Sequence, residues 1–276
     1  MNRICLIALI TVSLWLTGAG AASAQDNPVT VSFSDPSRPG TVRVNIMSGG
    51  LTVKTHAGRD VIIQNRGGRV SSRSRAARDA ENQGLRRLEA VSSGLSVEEE
   101  NNIMSIGTTR SNSSELEIQV PVRTNLKVGM VNGDNVVIDG VDGEIEITNN
   151  NGNITLTDVS GSVVAHSSNG NLNATMKRVT PQKPMSFTSI NGRVDVTLPG
   201  DTKANLKLRA DNGDVWTDFD VQIKPTPPPA VDDSRSRSGG RMVIRVDKSI
   251  LGTINGGGPD FELRSFNGNV YIRKLK

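Results

Sequence analysis

Asn132 to Met176 reads NGDNVVIDGVDGEIEITNNNGNITLTDVSGSVVAHSSNGNLNATM, and one short phrase recurs in it at nearly fixed spacing. Val131-Asn132-Gly133, Asn150-Asn151-Gly152 and Ser168-Asn169-Gly170 are followed by Asn191-Gly192, Asn212-Gly213 and Asn267-Gly268, with a Ser48-Gly49 variant upstream. The interval, roughly twenty residues, lies in the repeat range of solenoid proteins. Six and four residues before each Asn (or Ser48) stand Val42/Val44, Leu126/Val128, Ile145/Ile147, Val163/Ala165, Met185/Phe187, Leu206/Leu208 and Phe261/Leu263, all apolar. Two and four residues after each Gly stand Leu51/Val53, Ile154/Leu156, Leu172/Ala174, Val194/Val196, Val215/Thr217 and Val270/Ile272. Both arms therefore alternate with period two, as half-buried strands do. The Asn132 copy carries Val136 and Ile138 one residue late, which predicts a bulge at Asp134-Asn135.

A second corner type lies between the Asn-Gly copies, at Val141-Asp142-Gly143 and Val159-Ser160-Gly161. One coil is then two strands and two Gly corners, and the expected fold is an all-β, single-chain solenoid resembling a parallel β-helix. Asn-Gly between alternating strands is also a strong β-hairpin signal, so an antiparallel meander is the competing reading. The long period favours the solenoid, because it reproduces the phase of both arms and both corners, which independent hairpins do not require. Stacked coils pair at ~4.8 Å, and equivalent Asn side chains at the corners can form a ladder.

Few aromatics and many Gly in 276 residues point to turns rather than to a large globular core. A narrow column of Val, Ile and Leu, buried coil upon coil, fits that composition. Residues 1–24 have a positive Arg3, an apolar run from Ile4 to Leu16, and Ala22-Ser23-Ala24 before Gln25, the layout of a secretory signal peptide cleaved between Ala24 and Gln25. Cys5, the only cysteine, lies in that run, so the remaining chain is expected to carry no disulfide, no thiolate and no lipid anchor. No later stretch is long enough to span a bilayer. The formal charge of +4 includes Arg3 and is too small to imply a nucleic-acid partner.

Residues 25–276 are read as a single domain with two interruptions. Within an insert at about 66–92, Ala76, Ala77, Ala80, Leu85 and Leu88 follow a loose helical period and predict a short helix over 74–90. Residues 225–240, with four prolines, paired Asp and alternating Ser/Arg, predict a disordered loop, after which Met242 to Val246 is expected to rejoin the column. Asn255-Gly256-Gly257-Gly258-Pro259 reads as a degenerate corner.

Four phrases carry a family likeness: LEIQVPVRTNL (116–126), MSFTSINGRVDVTLP (185–199), Thr217-Asp218-Phe219-Asp220, and INGGGPDFELRSFNGNVYIRK (254–274). They resemble the bacterial adhesin-like family of domains of unknown function, secreted or surface-exposed β-solenoids with Asn-Gly coils. The resemblance implies an envelope location and a binding or structural role. It brings no catalytic motif and names no ligand.

Beyond residue 24 only His56 and His166 are acid/base candidates at neutral pH, and strand alternation points His166 outward. Asp139, Asp142 and Asp158 lie near corners, but the Gly-Gly-x-Gly-x-Asp repeat of calcium-binding β-helices is absent, so neither a metal nor another cofactor is expected. Trp216 and Tyr271 occupy the third position after their corner Gly, the outward phase where other coils carry Thr155, Asn173 and Asp195. Either the 225–240 excursion covers them or they form a stacking platform for sugar rings. The expected function is a non-catalytic, extracytoplasmic binding or scaffold protein whose partner is an envelope polymer or protein. The competing classes are a glycan-active β-helix enzyme, lyase or hydrolase, and a structural partner of an envelope sensor or assembly.

Overall fold

A computed structural model describes residues 28–67, 95–108, 114–225, 230–233, 242–245 and 248–276. In chain order the strands are β1 (Val29–Ser32), β2 (Gly40–His56), β3 (Asp60–Gly67), β4 (Leu95–Glu100), β5 (Ile103–Thr108), β6 (Ser114–Pro121), β7 (Thr124–Asp139), β8 (Asp142–Asn151), β9 (Asn153–Asn169), β10 (Leu172–Val179), β11 (Met185–Asn191), β12 (Val194–Leu198), β13 (Ala204–Asn212), β14 (Val215–Thr217), β15 (Gln222–Ile223), β16 (Ala230–Asp233), β17 (Met242–Arg245), β18 (Ile250–Ile254), β19 (Asp260–Asn267) and β20 (Val270–Lys274). No helix occurs among the described residues, and the helix expected over 74–90 lies outside them, as does the segment 1–24.

The chain is all-β, and its successive coils pair in parallel. Across the Asn151-Gly152 corner β8 pairs with β9 as Ile145↔Val163 and Ile147↔Ala165, and the other arm continues as Ile154↔Leu172. The meander reading is thereby removed. Strands β2, β7 and β9 bend through a corner without interruption, so each contributes to both arms. The bulge lies where the late phase of Val136 predicted it: Gly49 faces Gly133, but Leu51 faces Val136.

Coils do not stack in chain order. The parallel pairings give the sequence 103–121, 40–56, 124–139, 142–157, 160–179, 185–198, 260–274, 204–217. The first coil of the chain is therefore second in the stack, and the last coil is next to last. Antiparallel strands close both arms at one end, with β4 on β5 and β3 on β6, and the first arm alone at the other, with β18 on β13 and β15 on β18. Such strands, short or rich in Glu as in Leu95–Glu100, blunt an edge that would otherwise template pairing with another chain.

The inward positions of both arms form one continuous apolar cluster, from Val42 and Val44 through Ile145, Ile147, Phe187 and Phe261 to Val270 and Ile272. At about 1.5–3 kcal/mol for each fully buried aliphatic or Phe side chain, this column is the main stabilising term. The exceptions are Val215, partly buried, and Thr217, exposed. Both belong to β14, which pairs only with β20 and has no coil beyond it. Phe219 turns back into the core there, its N–H bonded to the Thr217 hydroxyl at 3.0 Å, and closes the end of the column.

Corners are held by side-chain ladders. Asn151 Nδ2 donates to Asn132 Oδ1 at 3.3 Å, Asn169 to Asn151 at 3.1 Å, Asn191 to Asn169 at 2.7 Å, Asn267 to Asn191 at 2.7 Å and Asn212 to Asn267 at 2.9 Å. One residue past the glycine, or two at the bulged Gly133 corner, Asn153, Asn171 and Asn135 each accept a backbone N–H of the next coil at 2.8–3.2 Å. Inside the corner a third row of Asn149, Ser167, Ser189 and Ser265 is buried, and Ser189 and Ser265 donate to the Gly170 and Gly192 carbonyls at 3.0 and 2.8 Å.

Of the stretch 225–240 the structure describes only residue 225 and Ala230–Asp233. Ala230–Asp233 pairs antiparallel with Met242–Arg245 in a separate two-stranded sheet, so Met242 onward does not rejoin the column. Val231, Val243 and Ile244 are β-branched, a local strand propensity that a composition argument overlooks. The column resumes only at β18. The turn 255–259 between β18 and β19 crosses over the start of β13, and Asn255 Nδ2 anchors it to the Gly200 and Thr202 carbonyls at 3.0 and 2.7 Å.

Candidate functional site

The outward face of the second arm changes character along the stack. In register across adjacent strands it presents Val137, Thr155, Asn173, Asp195, Tyr271 and Trp216. The row ends in two aromatic residues on neighbouring strands, Trp216 of β14 directly opposite Tyr271 of β20. Trp216 is 56% exposed. Tyr271 is partly buried and held from two sides: Asn269 Nδ2 donates to its hydroxyl at 3.0 Å, and the Arg273 guanidinium lies 4.9 Å from its ring centroid. Arg273 is oriented in turn by Asp195, with Nε and Nη2 donating to the two carboxylate oxygens at 2.9 and 3.2 Å. This Asp195–Arg273–Tyr271 chain is a charge-assisted, cation–π arrangement that fixes one ring while leaving the neighbouring indole open.

Past Thr217 the β14–β20 contact continues through a side chain, Asp218 Oδ1 accepting the Lys274 N–H at 2.7 Å. Lys274 Nζ lies 5.3 Å from the Phe219 ring centroid and covers the end of the core.

Other chemistry-bearing residues are committed elsewhere. His56 accepts the Gly58 N–H at Nδ1 (3.0 Å) and its Nε2 bonds the Asp60 carbonyl at 2.7 Å, so both ring nitrogens serve a turn. His166 lies between Thr148 and Thr188 on the outward face of the first arm. Asp142 is paired with Arg178 at 2.6 Å, and Asp158 adopts a left-handed φ of 51° at the second corner. No group of three or more His, Cys, Asp or Glu among the described residues is placed to hold a metal ion. Open cavities lie among the described residues. One of about 450 Å³ lies between the turns carrying Pro181, Pro199 and Pro259, with Lys177 and Lys203 at its rim. Another, about 270 Å³, lies at the bulge beside Glu115, Glu117 and Asp134.

A family model described as Toastrack DUF4097 matches residues 21–249. The chain belongs to the Toastrack family. Two solved structures are similar to this Toastrack chain. A candidate cell adhesion protein from Clostridium sporogenes ATCC 15579 is 8% identical, with a TM-score of 0.40 over 90% of this chain and 99% of that one. A candidate adhesin from Bacteroides fragilis NCTC 9343 is 12% identical, with a TM-score of 0.31 over 91% and 98%. No curated protein matches significantly.

Strand alternation put Trp216 and Tyr271 outward from the Toastrack column, and the structure places them side by side. Asp195 was read on the same outward phase but not as a neighbour of the pair, and the flanking Asn269 and Arg273 were missed. Their outward phase is readable in each coil, but coils stacked in chain order would set Asp195 beside Trp216. In fact the 260–274 coil inserts Tyr271 between the two. No described helix is long and apolar enough to cross a membrane.

Proposed function

We propose that this Toastrack protein is a non-catalytic binding or scaffold protein of the bacterial envelope, acting outside the cytoplasm, with its outward second-arm face as the contact surface. The observation that carries this reading is the cross-braced column itself. Charged groups brace neighbouring coils in pairs such as Lys127–Glu146 (2.9 Å), Lys207–Glu262 (3.1 Å) and Arg273–Asp195 (2.9 Å), while the Trp216 ring remains exposed. A frame so held keeps its surface residues at fixed spacing, which is what a recognition surface needs and what lowers the ordering cost of binding. The leader-like segment 1–24 supports the location.

The test is retention of the purified chain on its own envelope fraction, with soluble products assayed in parallel. Saturable retention without turnover is expected. Release of sugar or peptide fragments by the protein would replace this reading with an enzymatic one, and absence of retention would remove it. In a secreting host the envelope-side protein should begin at Gln25, which N-terminal mass spectrometry reads directly.

A further inference from the structure

We propose that the Trp216–Tyr271 face is a carbohydrate site that takes a neutral pyranose unit of a glycan. The proposal rests on the binding reading above and deepens it. The two aromatic residues occupy opposed positions on parallel strands, about 4.8 Å apart, so their side chains share one outward patch. The open indole offers a flat apolar surface to a ligand that has an apolar face of its own. Tyr271 is held by the Asn269 side chain and the Arg273 guanidinium, so little freedom remains to be lost when a ligand arrives.

The rim supplies the rest of the chemistry. Asp214 is exposed two residues before Trp216, on the same outward phase, and its carboxylate has no partner among the described residues. Planar carboxylate, amide and guanidinium groups around an aromatic floor match a molecule that combines an apolar C–H face with several neighbouring hydroxyls, which is the description of a pyranose. Charge selects among sugars. Arg273 is compensated by Asp195, Asp218 accepts the backbone N–H of Lys274, and the exposed Asp214 is matched by the exposed Arg193 two strands away, across Asn269. With no net charge at the rim, neither a uronate nor a phosphate polymer gains a Coulombic advantage, and an uncharged hexose unit is the best complement.

Trp15 and Trp216 are the only tryptophans, so in chain lacking residues 1–24 the indole fluorescence reports Trp216 alone. The probes are soluble cello-, xylo-, laminari- and chito-oligosaccharides, with an oligogalacturonate as the acidic comparison. At least one neutral probe should shift the fluorescence saturably. Trp216→Ala should weaken its calorimetric affinity about ten-fold or more, Trp216→Phe should restore part of it, and the thermal unfolding midpoint should stay unchanged for so exposed a side chain. Full affinity in Trp216→Ala, binding of the acidic probe alone, or silence from every neutral probe overturns the carbohydrate site. Envelope retention of the wild-type chain is measured separately, so the site can fail while the broader binding reading stands.

Discussion

Gly152 shows how tightly the corners are drawn. It has a φ of 98°, and a Cβ there would lie 1.4 Å from the Asp134 carbonyl oxygen. Gly152→Ala must therefore push two coils apart, and should cost about 3 kcal/mol or more. Gly200 has open space around its would-be Cβ, so Gly200→Ala should change stability by less than about 0.5 kcal/mol; urea unfolding of the two variants checks the contrast. Asp211 carries a second prediction. The Arg209 guanidinium bonded to it, assisted by Arg264, holds its carboxyl below the usual carboxylate range. A depressed folded-state pKa means a stabilisation complete above the unfolded value of about 3.9 and lost as pH falls through the folded one. The stability gap between wild type and Asp211→Asn should thus be constant near neutrality and shrink below about pH 4.

Strands and corners were largely readable, because period-two alternation is a local signal that burial enforces at every coil. The apolar pairs from Val42/Val44 to Phe261/Leu263 are all buried. Ile147, 1% exposed between Val128 and Ala165, offers the direct test: Ile147→Asp places a carboxylate in the column with no partner and should destabilise by about 3–5 kcal/mol, measured as a lowered urea midpoint. The corner rows behave differently. Asn169 donates to Asn151 and accepts from Asn191 at the surface, where water competes, so Asn169→Ala should cost only about 1–2 kcal/mol. The buried serine row escaped sequence reading, since a serine two residues before the corner Asn looks like any turn residue. Only the stacked geometry shows Ser189 and Ser265 capping carbonyls of the preceding coil.

Coil order was not readable at all, for a physical reason. Every coil presents the same alternation to both neighbours, so the repeat fixes phase without fixing which coil lies next to which. The insertion of 260–274 between 185–198 and 204–217 is therefore a property of the whole molecule. Removing residues 260–276 should release the 204–217 coil as well, because β13 and β14 join the column only through β19 and β20. Hydrogen exchange should then show residues 204–217 unprotected, whereas in a chain-ordered stack they would keep their protection. The same insertion decides how the column carries load. A pull on the C-terminus acts on β20, which is bonded to β12 along one edge and β14 along the other, so tension meets two ladders in shear. The column cannot be peeled one coil at a time from its C-terminus, and a tether placed there would hold until several strands yield together.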